Sequence, residues 1–430
     1  MKETMDSIAA RADDCMGRGD WDGAERIFLA ALTEAEETGD RRAALSLCSE
    51  LMGFYRQRAD AEKFYPVLGR CTELLGEVRP GAAARGTILI NAATALAAFG
   101  EAQRALPLFR EAESLYAVSL GADHPRLAAL YNNMAAALDA LHRPDEAERY
   151  MLRALENGKT VVTANKVAIA LNWHRLQAAA QRNHVGLYYE ASVCGAIPII
   201  NTLMQPLQAN RIDSLMGIIN GTTNYILSRM YENGEDYEAV LHDAQQLGLA
   251  EPNPSADVEG LDAAYKLSIM ASLAFHARVP FSKVYREGIT KITAVDIAYA
   301  REMGYVLKLL AIAKRSGNTI EVRVHPTLIA NDHPLSQVNG SFNAVYLHGH
   351  ACKEMMLQGR GAGDLPTASA VVGDILHAAT VDVHVHPTFV NSANADASLV
   401  FTNDWKTRYF LRLSIQDEPG SLAKIATWLS

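Results

Sequence analysis

Apolar residues recur every three to four positions through the first 157 residues, a spacing that predicts a series of amphipathic helices. The stretch DGAERIFLAAL at 22–32 recurs as DEAERYMLRAL at 145–155. Weaker copies start at Ala59 and Glu101, and another amphipathic helix precedes each copy. The pattern therefore predicts repeated helix pairs in this part of the chain.

The period of the repeat indicates the kind of helix pair. Aligning Ala24, Ala61, Ala105 and Ala147 gives spacings of 37, 44 and 42 residues, which are typical of stacked helix pairs. The array resembles four tetratricopeptide units, in which small alanines let paired helices approach and larger apolar residues fill the seams. Such arrays bind partners on a concave surface, so we expect a protein or peptide partner; a plain helical spacer is the alternative.

The pattern changes after Asn157 and Gly158, which form a helix-stop signal. The β-branched run in KTVVTANK predicts a strand, the residues after Lys166 predict a helix to about Gln181, and HVGLYYEA predicts a second short strand. A strand, a helix and a strand in this order predict one βαβ unit of a parallel sheet.

The residues after this unit predict an α+β domain, in which helices back a sheet. GIINGTTNYIL is typical of a strand, a glycine turn and a helix. The fold class is therefore multidomain, with an all-α solenoid, an α/β segment and an α+β domain. Further helices are predicted at 237–247 and 294–303, and strands at 307–313, 319–324 and 342–347.

One alanine-rich helix in this domain carries charge among apolar residues. Asp262 and Lys266 lie four residues apart, so both side chains fall on one helix face. Ala263, Leu267, Met270 and their apolar neighbours cover most of the circumference, which predicts a buried helix. A desolvated lysine beside a carboxylate is a tunable proton donor. An exposed pair worth roughly a few tenths of a kcal/mol is the alternative.

Composition argues against several classes of protein. The net charge of −9 disfavours a nucleic-acid binder and a basic membrane-surface protein. No stretch approaches about 18 uninterrupted apolar residues, and the amino-terminal segment lacks the apolar core of a signal peptide. The five cysteines are scattered without CxxC spacing, which disfavours a disulfide framework and a zinc site. We therefore predict a soluble cytoplasmic protein with free thiols.

Seven collinear blocks give the rest of the chain a family resemblance. From about Lys159 onward, TVVTANK, YEASVCGAIPII, GIINGTTNYIL, AQQLGLAEPNPSADVEGLDAAYKL, VYREGIT, VRVHPTLI and GRGAGDLPTASAVVGD resemble homoserine dehydrogenases, in the order that the family has them. The resemblance implies an NAD(P)-dependent oxidoreductase that interconverts L-homoserine and L-aspartate 4-semialdehyde in threonine and methionine biosynthesis. It also implies a homodimer formed through the sheet.

The resemblance assigns roles around the buried helix. It implies that Lys266 is the acid/base for the alcohol proton and that Asp262 orients the lysine and the reacting oxygen. Glu251 is similar to the carboxylate that holds the substrate ammonium. Asp257 lies where a second polar substrate contact is expected, although the residues alone also permit a helix amino-terminal cap there.

Glycine turns and a second lysine complete the implied site. Gly221 allows close backbone approach and Thr222 offers a hydroxyl and an amide, a suitable cradle for a carboxylate; a simple capped helix is the alternative. Lys166 is similar to a second active-site lysine near cofactor and substrate, with a solvated helix start as its alternative. Gly361 and Gly363 precede a helix, and the resemblance implies that amides there meet NADP or NAD.

YEASVCGAIPII resembles the sodium-binding loop of the family, which coordinates through backbone carbonyls. The matching positions are Glu190, Val193, Gly195 and Ile197. Hard monovalent cations accept neutral oxygens, so no acidic cage is needed. Ala196 stands where the family more often has a second glycine.

The chain departs from the family on the nucleotide side. Most of a dinucleotide fold, with a glycine-rich turn after its first strand, should precede TVVTANK, but the first 158 residues contain no GxGxxG. One alternative is therefore a catalytically inert interaction protein that carries a partial dehydrogenase domain. Another is a chain joined artificially at Gly158.

The last residues resemble the start of a further module. RYFLRLSIQDEPGSLAKIATWLS predicts a strand, a Pro-Gly turn and a helix, and it resembles the opening of an ACT domain that stops at Ser430. A lone βα unit cannot close its own sheet, so we expect absent or incomplete allosteric sensing. The predicted divisions are a repeat array at 1–157, a dinucleotide-fold remnant at 158–191, a catalytic domain at 192–390, a linker at 391–406 and an ACT-like segment at 407–430.

Overall fold

The structure is a computed structural model that describes residues 4–121, 124–141, 143–250, 253–381, 398–416 and 418–429. The chain forms two compact units. The first unit consists of Met1–Ser192 with Ala370–Ala393, and the second of Val193–Ser369 with Asn394–Ser430. The finer domain boundaries given above stay predictions.

Helices that pack in consecutive pairs form the first part of the first unit, which confirms the predicted solenoid. The first helices of neighbouring pairs also contact each other, so the pairs stack. In the described part these helices are α1 (Met5–Gly17), α2 (Trp21–Glu37), α3 (Arg41–Gln57), α4 (Ala61–Glu77), α5 (Ala82–Ala98), α6 (Ala102–Leu120), α7 (Pro125–Ala140) and α8 (Pro144–Glu156).

The alignment of the second repeat needs a correction. Ala24, Ala105 and Ala147 are the fourth residues of α2, α6 and α8, and all three are fully buried. Ala61 instead begins α4, whose fourth residue is the fully buried Phe64. The helix starts are therefore 40, 41 and 42 residues apart, a more even period than the alignment on alanines. A phenylalanine takes the place of the small residue in this pair.

A βαβ unit follows the array, as predicted. β1 (Val161–Val162) and β2 (Leu187–Tyr188) pair in parallel, and α9 (Lys166–Arg182) connects them. α9 packs against α8, where the Arg175 guanidinium lies 2.8 Å from the buried Glu148 carboxylate. Burial raises the pKa of Glu148, and the arginine opposes that shift. The last helix of the array therefore packs directly on the βαβ unit.

The second unit contains long strands separated by helices. In chain order its described elements are α10 (Ile199–Met204), β3 (Ile212–Ile218), α11 (Gly221–Asn233), α12 (Tyr237–Gln246), α13 (Ser255–Val258), α14 (Leu261–Ala274), β4 (Tyr285–Arg286), α15 (Ala294–Glu302), β5 (Tyr305–Ser316), β6 (Thr319–Ala330), β7 (Phe342–Gly349), β8 (Lys353–Arg360), α16 (Asp364–Thr380, which continues into the first unit), β9 (Val400–Phe401) and α17 (Ser421–Leu429).

These strands form one mixed sheet, which confirms the α+β prediction. They lie in the order β4-β6-β5-β3-β7-β8, and β9 pairs with the start of β6. The central strands are antiparallel, whereas β4 and β9 run parallel to β6. β5 and β6 extend beyond their predicted ends because they pair along their whole length. α11, α14 and α15 pack on β5, so the middle of the sheet supports the helices that carry the predicted site.

A buried lysine joins one of these helices to the sheet. Lys308 of β5 is fully buried, although it lies in a run of buried apolar residues of the strand. Burial lowers the pKa of Lys308 to about 8. The ammonium thereby connects β5, α11 and the loop after β6. Four oxygens lie within hydrogen-bond distance of its three N–H donors: the side-chain oxygens of Asn224 (3.0 Å), Ser228 (3.3 Å) and Asn339 (3.0 Å) and the Val338 carbonyl (2.7 Å).

Another buried polar side chain packs on a glycine at the end of β8. Asn343 of β7 is 1% exposed, and its side-chain nitrogen and oxygen have no hydrogen-bond partner among the described residues. The amide lies over Gly361, because a Cβ built on that glycine would be 1.9 Å from the Asn343 nitrogen. Only a residue without a side chain fits at Gly361.

The predicted strand at 408–416 is wrong, since the described residues there form no strand. A strand needs a partner, and this segment exposes Tyr409, Leu411 and Leu413 instead of pairing with a neighbour. The helix predicted after it is confirmed as α17. The resemblance to an ACT domain stays a prediction.

The predicted linker packs on the sheet over part of its length. Residues 382–397 lie outside the described residues. In the remainder, β9 pairs with β6, and the Trp405 ring lies 4.8 Å from the guanidinium carbon of Arg323. Of the helices that the structure describes, none has the length and apolar character needed to cross a membrane.

Replacing Lys308 with methionine should lower the stability of the second unit by about 3 kcal/mol, because four buried oxygens lose this donor. Thermal denaturation followed by circular dichroism would show a lower melting temperature. Lys314→Met, at the exposed end of the same strand, is the matched control and should change the melting temperature little. Equal melting temperatures for wild type and the Lys308 variant would contradict this role.

The stability contributed at Lys308 should also depend on pH. The pKa is about 8 in the folded chain, against an ordinary value of 10.5. Between these values the unfolded chain holds a proton that the folded chain has lost, so the free energy of unfolding rises with pH. The melting-temperature gap between wild type and Lys308→Met should therefore widen from pH 8 to about pH 10. A constant gap would show that burial does not lower this pKa.

Gly361→Ala should destabilise the second unit by about 2 kcal/mol, because the added methyl displaces the buried Asn343 amide. Gly373→Ala on α16 is the matched control, since no atom lies within 4 Å of its new methyl and alanine favours a helix. Urea unfolding measures both variants. A Gly361→Ala midpoint equal to that of wild type would mean that the amide moves aside at no cost.

Candidate active site

The buried helix α14 begins at a glycine in the left-handed conformation. Gly260 has a φ of 76°, and a Cβ there would be 3.1 Å from the Val324 side chain of β6. The turn therefore requires glycine for both its conformation and its contact. α14 is buried on almost all sides, and Asp262 and Lys266 are only 4% and 9% exposed. The alternative of an exposed pair is wrong.

The ammonium of Lys266 has two fixed acceptors. It donates to Asp262 Oδ2 at 2.8 Å and to the Ile219 carbonyl at 2.9 Å. An ammonium carries three donors, so among the described residues one N–H of Lys266 is left for a ligand. A group held in this way can give a proton to an oxygen placed against it.

Asn220 joins α11 and α13 to this pair. Its side-chain nitrogen donates to Asp257 Oδ1 at 2.7 Å and to Asp262 Oδ2 at 2.9 Å. Its side-chain oxygen caps α11 by accepting the Thr223 amide at 2.9 Å. Sequence reasoning missed this residue. The available signal was an asparagine between a strand and the helix that begins GTT, a position that favours a capping side chain.

The first turn of α11 presents backbone amides near this pair. Gly221 and Thr222 are its first two residues, and their N–H groups make no hydrogen bond among the described residues. The Thr222 hydroxyl donates to the Leu249 carbonyl at 2.6 Å, so the amide and not the hydroxyl is left for a ligand. A Cβ on Gly221 would be 2.9 Å from the Ser341 carbonyl, which confirms close backbone approach at this glycine.

Asp257 is the third residue of α13 and does not cap a helix. The residues at the cap positions of α13 and α14 are Pro254 and Gly260, so the cap alternative is wrong. Asp257 instead faces Asn220, which places it beside the predicted catalytic carboxylate. Glu251 lies outside the described residues, and its contact with the substrate ammonium stays a prediction.

The residues predicted to meet a cofactor lie in both units. Lys166 is the half-buried first residue of α9 in the first unit, where Asn165 caps the helix by accepting the Ala168 amide at 2.9 Å. Gly361 and Gly363 lie in the turn between β8 and α16, and Gly363 has a φ of 116°. In the part of the βαβ unit that the structure describes, no glycine-rich turn joins a strand to a helix.

The predicted sodium loop contains a tight turn. Cys194 and Gly195 have left-handed φ values of 58° and 49°. A Cβ on Gly195 would be 2.8 Å from the Gly361 carbonyl, and the Ala196 amide donates to the Arg360 carbonyl at 3.1 Å. The turn therefore packs on the end of β8.

The other predicted sodium ligands lie before and after this turn in the chain. Val193 and Ile197 are buried, and the Ile197 carbonyl accepts the Ile199 amide at 2.7 Å. Glu190 belongs to the first unit, where its amide donates at 2.9 Å to Asp374, a carboxylate whose pKa burial raises. Among the described residues no three His, Cys, Asp or Glu side chains group as metal ligands. An ion at this loop would depend on carbonyl oxygens.

In the second unit the structure brings together the predicted carboxylates of α13 and α14, Lys266 and the start of α11. It separately brings Gly195 against Gly361. Lys166 and Glu190 lie in the first unit. The second unit therefore holds a buried Lys266–Asp262 pair beside the first-turn amides of α11.

Comparison with protein families assigns three regions of the chain. Residues 198–376 match the homoserine dehydrogenase model. Residues 139–190 match the NAD-binding domain of homoserine dehydrogenase, and residues 85–160 match the tetratricopeptide repeat. The last two matches overlap at the helix that packs on the βαβ unit.

Comparison with individual proteins gives the same family. The chain is similar to the homoserine dehydrogenase of Corynebacterium glutamicum, with 46% identity over 285 residues that cover 65% of this chain and 64% of that protein. It is 45% identical over 290 residues to the homoserine dehydrogenase of Pseudomonas aeruginosa, covering 66% and 67%. The chain thus spans about two thirds of the length of the relatives it matches.

Solved structures agree with these matches. A crystal structure of a homoserine dehydrogenase from Thiobacillus denitrificans is similar with a TM-score of 0.56 and 45% identity, over 60% of each chain. The S. aureus homoserine dehydrogenase at pH 8.5 is similar with a TM-score of 0.50 and 37% identity, over 56% of this chain and 57% of that one. With 45% identity to a relative covered over two thirds of its length, and with the buried Lys266–Asp262 pair inside the matched region, the chain belongs to the homoserine dehydrogenase family.

Proposed function

We propose that the chain interconverts L-homoserine and L-aspartate 4-semialdehyde as an NAD(P)-dependent oxidoreductase. The observation that carries this proposal is the buried Lys266 ammonium, which two acceptors orient while one N–H is left over. The reaction needs such a group because the substrate oxygen loses a proton in one direction and gains one in the other. Membership of the family supports the same reaction.

The protein residues handle the proton. In the direction of reduction, Lys266 gives its proton to the substrate oxygen as that oxygen becomes an alcohol. In the direction of oxidation, the neutral lysine takes the alcohol proton, and Asp262 stabilises the ammonium that forms. The Ile219 carbonyl keeps the amine in place in both states. This part of the chemistry lies wholly in the second unit.

We propose NADP or NAD as the cofactor, supported by the match to the NAD-binding domain at 139–190. When bound, it would supply or accept the hydride. A dinucleotide pyrophosphate normally rests on a helix amino terminus after a glycine-rich turn. Here the described βαβ unit has no such turn, and Asn165 already takes a first-turn amide of α9. The residues present do not form that cradle; Lys166, Gly361 and Gly363 are proposed contacts only.

For the amino-acid end of the substrate, we propose contacts with α11 and the acidic turn. The free amides of Gly221 and Thr222 and the positive end of the helix favour a carboxylate. Asp257 and Glu251 are the proposed partners of the substrate ammonium. Only the start of α11 and Asp257 lie among the described residues.

We also propose a sodium ion at the carbonyls of Glu190, Val193, Gly195 and Ile197. The tight turn at Cys194 and Gly195 supports a carbonyl site, since consecutive left-handed residues redirect the peptide groups. Turnover in sodium chloride and in choline chloride at equal ionic strength tests it. Equal rates in the two salts would count against the ion.

A homodimer is proposed through the edge of the sheet. β8 is an edge strand of eight residues, and its outer backbone groups pair with no other strand among the described residues. An uncovered edge of this length favours pairing with a second copy. Sedimentation velocity measures the mass, and a monomer at micromolar concentration would refute the dimer.

For the array we propose a protein or peptide partner in the cytoplasm. A cavity of about 190 Å³ among α1, α2 and α3 gives the array a concave feature, and the five cysteines form no disulfide among the described residues, which agrees with a reducing compartment. Capture by the full chain, compared with a chain lacking the array, tests the partner. Equal capture by both chains would favour a helical spacer.

One observation favours a second function, that of an inert interaction protein. Among the described residues, the parallel sheet of the first unit has two strands of two residues each, less than a dinucleotide fold requires. In this alternative the array binds a partner while the second unit catalyses nothing. Wild-type turnover with aspartate semialdehyde and NADPH separates the two functions.

Lys266→Met should lower kcat by about 10²- to 10⁴-fold, because the substrate oxygen loses its proton donor. Oxidation of NADPH by aspartate semialdehyde, followed by absorbance, measures this. Lys283→Met, an exposed lysine of the same unit, is the control and should keep full turnover. A Lys266 variant with full turnover would remove the proposed acid/base. A wild-type chain that neither binds NADPH nor turns over would establish the inert alternative.

A further inference from the structure

One residue, Asn220, is linked to both acceptors of the Lys266 ammonium. The Ile219 carbonyl belongs to the peptide bond that joins Ile219 to Asn220, so the backbone of Asn220 fixes its direction. The other acceptor, Asp262 Oδ2, receives a hydrogen bond from the Asn220 side chain at 2.9 Å. Asn220 is therefore bonded to one acceptor through its backbone and is hydrogen-bonded to the other through its side chain.

We propose that Asn220 is the positioning residue of the acid/base pair. It holds the two acceptors of Lys266 in place and thereby aims the remaining N–H at the substrate oxygen. The inference rests on the proposed function, because only that function places a reacting oxygen at the lysine. Asn220 acts through Asp262 and Lys266.

The side chain at this position must carry two neutral donors. Asp257 and Asp262 each accept one N–H of the Asn220 amide, at 2.7 and 2.9 Å. Two carboxylates this close repel each other, and neutral donors between them offset the repulsion without adding charge. A carboxylate at position 220 would present oxygen to oxygen, and an aliphatic side chain would leave both carboxylates without this donor.

The orientation of the amide is set by its other end. Asn220 is 5% exposed, and its side-chain oxygen accepts the backbone amide and the hydroxyl of Thr223, both at 2.9 Å. Rotating the amide by half a turn would place its nitrogen against the Thr223 amide and its oxygen against the carboxylates. The start of α11 therefore holds the donors toward Asp257 and Asp262 before any substrate arrives.

Asn220→Asp is the sharpest test, because it keeps the size and the capping oxygen and replaces the two N–H donors with a carboxylate oxygen. We expect kcat to fall by about 100-fold, as for a misplaced catalytic group, with the Kd for NADPH unchanged. Asn220→Ser, which also caps a helix but is too short to reach both carboxylates, should lose kcat in the same way.

The matched control is Arg229→Met on the same helix. Arg229 pairs with Glu235 at 2.8 Å and with Asp243 at 3.3 Å, on the turn and the helix that follow α11. This variant should lower the melting temperature and leave kcat near wild type. The Asn220 variants should also lower the melting temperature, because they remove buried donors, but they alone should lose most of kcat.

Three results would overturn the inference. The first is an Asn220→Asp chain whose kcat stays within about twofold of wild type. The second is a loss of kcat in Arg229→Met as large as that in the Asn220 variants at an equal loss of melting temperature, because this would indicate a structural role alone. The third result comes from a crystal structure of Asn220→Asp, which still tests the inference when wild type has no turnover and the proposed function is refuted. A Lys266 to Asp262 separation beyond about 4 Å supports positioning, and an unchanged contact overturns it.

Discussion

The buried Lys266–Asp262 pair of the second unit depends on one oxygen atom, Asp262 Oδ2, which accepts hydrogen bonds from Lys266 at 2.8 Å and from Asn220 at 2.9 Å. A buried ion pair is costly to desolvate and persists only where further hydrogen bonds satisfy both charges. The Ile219 carbonyl serves the ammonium, and the Asn220 amide serves the carboxylate. These bonds come from the start of α11, so α11 and α14 must lie at one fixed distance.

The sheet sets that distance. Lys308 attaches α11 to β5, and Gly260 lets the start of α14 approach Val324 on β6. β5 and β6 are neighbours that pair over their full length, so the two attachment points cannot move apart independently. Lys308 thereby helps to hold α11 at a fixed distance from α14.

Local periodicity predicted the helices and strands, but it could not predict contacts between residues far apart in the chain. The helix pairs, the βαβ unit and the buried helix α14 each follow from spacing within about 20 residues. The contacts of Asn220 with Asp257 and Asp262, and those of Lys308, could not be found in this way, because these partners lie 30 to 84 residues distant in the chain. The second repeat was misaligned because Ala61 was matched to the alanines of the other repeats, although the large Phe64 packs at that position. The strand expected at 408–416 satisfied the local pattern and lacked a neighbouring strand.

In the first unit the array packs against a small described sheet. Among the described residues this sheet has two strands of two residues each, which bury little surface by themselves. In a complete α/β fold further elements cover a helix such as α9. Here α8 packs on α9, whose Ile169 and Leu176 are fully buried and whose Arg175 pairs with Glu148. α9 also begins with Lys166, so the last helix of the array supports the helix that carries this predicted active-site lysine.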